Sequence, residues 1–342
     1  MVKEKKSVDL TKIKIHRSLI EKLFAQNIIS TEVRTTSLQL IYPHQNWGLW
    51  AQRLFLILGF SLILSSIIFF FAFNWAIIPN FAKLGVIEAG FFVAIICSFC
   101  FDLKKILGQI SLLGASVFVG AFLAVFGQIY QTGADAYQIF LIWSLLILPF
   151  VFISTNSFHW FLWFVVSSLA IYFYCNQVFM INLIFDNVTW VLLALFSSAL
   201  LVVKAYYRSL KKIWMPAPWT TSLLVFATLS YLLVPSLHYV FEIGKEPIGF
   251  FVQLGTGLSL IIHAIFYLYF RFKKPAIVPL CFTYLSLCII VEAIIARVIL
   301  WSGNELGAIG YLIVLIFTLG LFSFATMRLH HFYKKMRIKY DA

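Results

Sequence analysis

The sequence predicts an all-α integral membrane protein with about ten transmembrane helices, both termini on the cytoplasmic side, and a small cytoplasmic head of two helices. Three observations predict it. Of 342 residues, 62% are hydrophobic and 11% are charged, and the mean hydropathy is +0.95. That is more apolar surface than a soluble interior hides. The apolar residues stand in continuous runs of about 20, the length that crosses a hydrocarbon core of about 30 Å, and lack the alternation of lipid-facing strands. Finally, the basic residues fall at every second junction between runs.

The head occupies residues 1–53. Leu10, Ile13, Leu19, Ile20, Leu23 and Phe24 approximate a helical stripe, Asn27 suits a C-terminal stop, and Ser30 caps a second helix with Glu32 in its first turn. A segment of this length is marginal for a core of its own, so it is expected to dock on the membrane surface, the loops or a partner.

Spans follow at 54–74, 82–101, 108–128, 137–154 and 158–175, which make a first transmembrane region, 54–175. A second region, 176–327, carries spans at 188–203, 219–234, 249–270, 276–300 and 306–327, and residues 328–342 form a basic cytoplasmic tail. The fourth and fifth spans are the weakest pair, joined only by the short, uncharged STNSFH.

The net charge of +13 is a matter of topology rather than of a nucleic-acid partner. With ten spans, all 26 Lys and Arg except Lys83, Lys245 and Arg297 fall on one side of the bilayer, which places both termini in the cytoplasm. Anionic lipid headgroups are their natural counter-ions. No cleavable signal peptide is evident, and the five cysteines, all in or at the ends of spans, form no disulfide framework.

Two stretches carry a family resemblance: FFFAFNWAIIPNFAKL at the end of the first span, and GASVFVGAFLAVFGQIYQTGADAYQIFLIWSLLILP across the third and fourth. With the two-helix head, they resemble a bacterial multi-pass membrane protein family, domain of unknown function 2157. The most specific pieces are Asn74, Trp75 and Pro79, and the run from Gly127 to Tyr137. The resemblance covers roughly the first half of the chain. It implies a bacterial cytoplasmic (inner) membrane protein whose relatives are often encoded with, or fused to, other envelope proteins, and it implies no activity.

The same residues have plain physical roles. Trp75 suits the membrane interface and Pro79 stops helix continuation. Ser116, Gly120 and Ala124 recur every four residues, a small-residue face that lets helix backbones approach and would make the third span central. The loop that follows is external in this topology. It holds Gln128, Tyr130, Gln131, Thr132, Asp135 and Tyr137, which a turn at Gly133 would bring together, either to satisfy the loop's own backbone or to form a ligand or partner site.

Ionisable groups within spans cost about 2.5 to 3.5 kcal/mol each and need a reason. Glu88 lies about 9 Å, and Glu292 about 12 Å, inside the outer ends of the second and ninth spans. Lys83 and Arg297 lie nearer the surface, but a spacing of five puts neither pair on one helix face. Partners from other helices are expected, such as Glu88 with Arg297. The set serves either as interhelical ion pairs or as a proton or cation site open to the outside.

Cys97 and Cys100 form a C-x-x-C with no His or second pair to complete a metal site. Cys281, Cys288 and His263 read as packing residues inside spans. Phosphate-binding, dinucleotide and hydrolase signatures are absent from the sequence, and no cofactor is nominated. The reading is a non-catalytic membrane scaffold or accessory subunit, with the lipid bilayer and other envelope membrane proteins as partners and no nucleic acid. The alternative is a small-solute or ion transporter that uses Glu88 and Glu292.

Overall fold

A computed structural model describes residues 17–41, scattered positions between 48 and 73, and 75–341 apart from short breaks at 104, 132, 155, 180–186, 210–216, 245–246 and 302–306. The chain divides into two compact units, Met1–Pro79 and Asn80–Ala342.

In the first unit, α1 (Arg17–Ala25) and α2 (Thr31–Ile41) form the expected head. Asn27 adopts a left-handed φ of 55°. The Ile28 and Asn27 N–H groups then donate back to the Leu23 and Phe24 carbonyls, at 2.9 Å each, closing the end of α1. Ser30 caps α2 by accepting the Val33 N–H at 3.3 Å. The two helices are joined by Arg34, whose Nε and Nη2 donate to the two Glu21 carboxylate oxygens at 2.9 and 2.8 Å. Its guanidinium also lies 4.8 Å from the Phe24 ring centroid. The hydrogen bond to Glu21 raises the Arg34 pKa. Most of the first expected span, 54–74, including Asn74, lies outside the described residues. Trp75 begins a turn that runs to Pro79.

The second unit is all helical among the described residues: α3 (Asn80–Cys100), α4 (Ile106–Tyr130), α5 (Ala136–Ile153), α6 (Ser157–Tyr174), α7 (Val188–Ser209), α8 (Trp219–Glu242), α9 (Phe250–Leu268), α10 (Ile277–Trp301) and α11 (Gly307–Asp341). All nine are long and apolar enough to cross a membrane, and they match the second to tenth expected spans. The pair flanking STNSFH is fully formed. Asn156 caps α6 by accepting the Phe158 N–H at 3.0 Å, which is why so short and uncharged a linker separates two helices. Single π-helical turns, Cys175–Phe179 and Tyr269–Lys273, extend α6 and α9.

The centre of this unit is α8, not the third span. α4 packs against α3 and α5, whereas α8 packs against α7, α9 and α10, and 44% of its spanning window is buried against 22% for α4. α8 supplies Leu224 to a cluster with Ile147, Val151, Trp160, Phe164 and Leu200. It also supplies Val225 and Leu229 to a second cluster with Phe270 and Leu280. The first cluster joins α5 and α6 to α7 and α8, so packing runs across residues 175 and 176. Pro235 lies within α8, and Thr256 of α9 donates to its carbonyl at 3.2 Å, a hydrogen bond that ties the two spanning helices together. Gly255 permits that approach, since a Cβ there would stand 2.7 Å from the Pro235 ring.

Candidate functional site

Glu88 stands eight residues into α3, about 12 Å along its axis. Its side chain is exposed and lines an apolar groove of about 520 Å³ across α3, α4 and α5, with Phe91, Phe92, Phe118, Phe122, Leu146 and Phe150 among the walls. Among the described residues it has no hydrogen-bond or ion-pair partner. Among the described residues of the second unit, α3 is an edge helix. It packs on α4, where Gly90 receives the Phe118 ring, and only 6% of its spanning window is buried.

The expected pairing of Glu88 with Arg297 does not form. Arg297 of α10 instead donates through Nη1 and Nη2 to the Val240 and Ile243 carbonyls. These lie at the C-terminal end of α8, where a cation meets unpaired carbonyls and the negative pole of the helix dipole. Lys83 turns to Asn80 at the start of α3, with Nζ 3.5 Å from Oδ1. Glu292 is half-buried between α10 and α11: Oε1 accepts from the Thr318 hydroxyl, and Oε2 is buried without a hydrogen-bond partner. Helical periodicity gives the depth of a charge along its own span. It does not give which spans are neighbours, and here α3 and α10 belong to different parts of the packing.

The polar loop after α4 turns as expected. Gln131 and Gly133 take left-handed φ values of 43° and 62°. Tyr130 is exposed and its ring lies 4.6 Å from Phe126 on its own helix. Tyr137 turns to the end of α6, its N–H donating to Gln177 Oε1 at 3.3 Å and its ring 5.3 Å from Tyr174. Gln128 and Asp135 are exposed beside them, and the Asp135 side chain does not cap α5. Thr132 lies outside the described residues. The loop is therefore tied sideways to α6.

The small-residue face of α4 holds side chains rather than a second backbone. Gly120 is filled by the Trp143 indole of α5, and Ser116 is fully buried while Ala124 is exposed. The Trp143 Nε1 donates to the Ser116 carbonyl at 2.8 Å, and the Ser116 hydroxyl meets His159 Nε2 at 2.7 Å. His159 is fully buried, and its Nδ1 lacks a hydrogen-bond partner. Sequence reading missed this histidine because it stands in the first turn of its span, next to the polar STNSFH stretch, where the apolar run does not mark it as interior. About two turns toward the start of α4, the Ser154 hydroxyl donates to Gln109 Oε1 at 2.7 Å, and Gln109 Nε2 donates to the Leu103 carbonyl.

Two further intramembrane polar pairs also bond from helix to helix. His263 is held between the Ser259 carbonyl, 2.7 Å from Nδ1, and the Ser286 hydroxyl, 2.8 Å from Nε2. Ser197 and Thr228 meet at 2.8 Å. Cys97 is half-buried, Cys100 exposed and Cys288 buried, all as free thiols. No group of three or more His, Cys, Asp or Glu that could hold a metal ion occurs among the described residues.

No curated protein and no solved structure matches the chain. A family model does, over the part that includes the head from residue 21 onward, the Trp75 to Pro79 turn, α3 to α5 with the Glu88 groove, and the Gly127 to Tyr137 loop. Residues 21–160 match the family described as predicted membrane protein (DUF2157).

Proposed function

We propose that this protein is a non-catalytic scaffold or accessory subunit of the bacterial cytoplasmic membrane, with both termini in the cytoplasm, and that it holds a transmembrane helix of another envelope protein in the Glu88 groove. One observation carries the reading. A carboxylate at hydrocarbon depth stands exposed in an apolar groove on the perimeter of the bundle, with no partner among the described residues. Its insertion costs about 2.5 to 3.5 kcal/mol unless a cation or hydrogen-bond donor meets it. A helix that brings a Lys or Arg to that depth supplies the charge and covers the phenylalanine walls. The interior polar groups support the same reading, since His263, Ser197 and Ser116 are used in bonds between helices, which fix a rigid platform.

The experiment is site-specific photo-crosslinking from Phe92, which is 60% exposed in the groove, in native membranes. The expected result is a stoichiometric adduct with another membrane protein. Adducts confined to lipid, or to this chain itself, contradict it.

A second reading, a small-solute or ion transporter, is favoured by Glu292, whose Oε2 is buried without a hydrogen-bond partner. Proton-coupled uptake into vesicles holding the purified protein, abolished by Glu292→Gln, is the result that would support it.

A further inference from the structure

We propose that a cavity between α7, α8 and α9 binds the phosphate headgroup of an anionic phospholipid, with its acyl chain leaving sideways into the bilayer. The site is separate from the Glu88 groove and does not depend on the reading given for it.

The cavity, of about 270 Å³, lies at the end of the bundle where α7 finishes and α8 begins. Its polar residues are Lys204, Lys274, Ser198, Thr221 and Tyr269. Lys204 is only 9% exposed, and its Nζ donates to the Ala217 carbonyl at 3.2 Å and to the Thr220 hydroxyl, bonds that orient the amine beside the cavity. The Ser198 hydroxyl is buried and has no hydrogen-bond partner, so the wall holds a polar group not used by the fold. Lys274 reaches the same cavity from the end of the π-helical turn that follows α9.

Two features select a phospholipid over other anions. The remaining residues of the wall are aliphatic or phenylalanine, and they include Val202 at 68% and Ile265 at 54% exposure, both on the lipid-facing surface. The cavity therefore opens along the bilayer, where an acyl chain lies. Its volume falls just below the roughly 300 to 1,000 Å³ of pockets that enclose a whole small ligand, which suits a headgroup with the upper part of one chain. The surroundings also call for negative charge. The segments 203–219, 270–277 and 327–342 carry Lys and Arg throughout and a single acid, Asp341. Basic pockets between spanning helices at a positively charged membrane face are where anionic headgroups bind.

The test is native mass spectrometry of the full-length protein in detergent, after exchange into phosphatidylglycerol, phosphatidylcholine or inorganic phosphate. The expected result is retention of one phosphatidylglycerol per chain, in clear preference to phosphatidylcholine. Lys274→Gln should lower its occupancy about fivefold, the effect of one basic residue at a membrane surface, while Lys335→Gln on the exposed end of α11 leaves it unchanged. Ala205→Trp should also abolish retention, because it blocks an exposed lining position without removing a charge. Equal retention of phosphatidylcholine, equal loss with Lys335→Gln, or unaffected binding in Ala205→Trp would overturn the proposal. Displacement of the lipid by millimolar inorganic phosphate would assign the cavity to free phosphate and overturn the lipid part of it.

Discussion

The Nε2 of His159 lies 2.7 Å from the Ser116 hydroxyl, across the interface of α6 with α4, and no part of the imidazole reaches the surface. Ser116 also contributes its carbonyl to the Trp143 indole, so one residue of α4 anchors both following helices.

Removing this hydroxyl strands the ring. Nδ1 already lacks a partner, so Ser116→Ala leaves both ring nitrogens unpaired. The expected cost is about 1 to 2 kcal/mol, within the range for an unsatisfied buried group and for hydrogen bonds between spanning helices. The measurement is the midpoint of thermal unfolding in detergent. The double change Ser116→Ala with His159→Phe should recover most of the loss, because it removes both polar partners while keeping the ring's bulk.

Two glycines of α4 should behave oppositely. A Cβ at Gly120 would overlap the Trp143 indole, whereas one at Gly114 meets nothing within 4 Å. Gly120→Ala should lower folded protein in the membrane, with a cost of about 1 to 3 kcal/mol for overpacking. Gly114→Ala should be neutral or stabilise by up to about 1 kcal/mol through helix propensity. Fluorescence-detected size exclusion after heating compares the two.

Arg297 holds the end of α8 rather than neutralising Glu88. Arg297→Gln should therefore lower thermal stability by about 1 to 3 kcal/mol, the range for losing hydrogen bonds from a charged donor. Adding Glu88→Gln to the same chain should restore none of it. Recovery in the double variant would place the two charges together, against the geometry at Val240 and Ile243.

Much of the fold was legible in the sequence, for reasons that are physical and local. Continuous apolar runs marked the nine described spans, since lipid imposes the same demand on every helix. Asn27 and Ser30 marked the helix boundaries of the head, since each satisfies a backbone group within a few residues of itself. Relations between helices were not legible. Glu88 and Arg297 fall toward the same side in the expected topology, and nothing in either span states that α3 packs on α4 or that α10 packs on α8. The Ser116 to Ala124 stripe suggested a backbone contact, but it takes Trp143 at Gly120 and leaves Ala124 exposed. His159 escaped notice because it stands at the very start of its span, where burial depends on which side chains of other helices close over it.

Topology gives a prediction that stands apart from packing. Reporter fusions after Asp135 should be external, and fusions after Lys105 and Lys274 cytoplasmic, as the distribution of basic residues requires. A cytoplasmic signal at Asp135 would invert the whole orientation.

The scaffold reading rests on the Glu88 carboxylate, and the most direct measurement is the amount of partner protein isolated with the wild type and with Glu88→Gln from native membranes. The amide inserts more cheaply than the carboxylate, so the variant should remain at wild-type abundance. It should nevertheless lose the partner about tenfold or more, because a buried cation on the partner helix is left without its counter-charge. Equal partner recovery from Glu88→Gln and wild type, or no stoichiometric partner from either, would contradict the account.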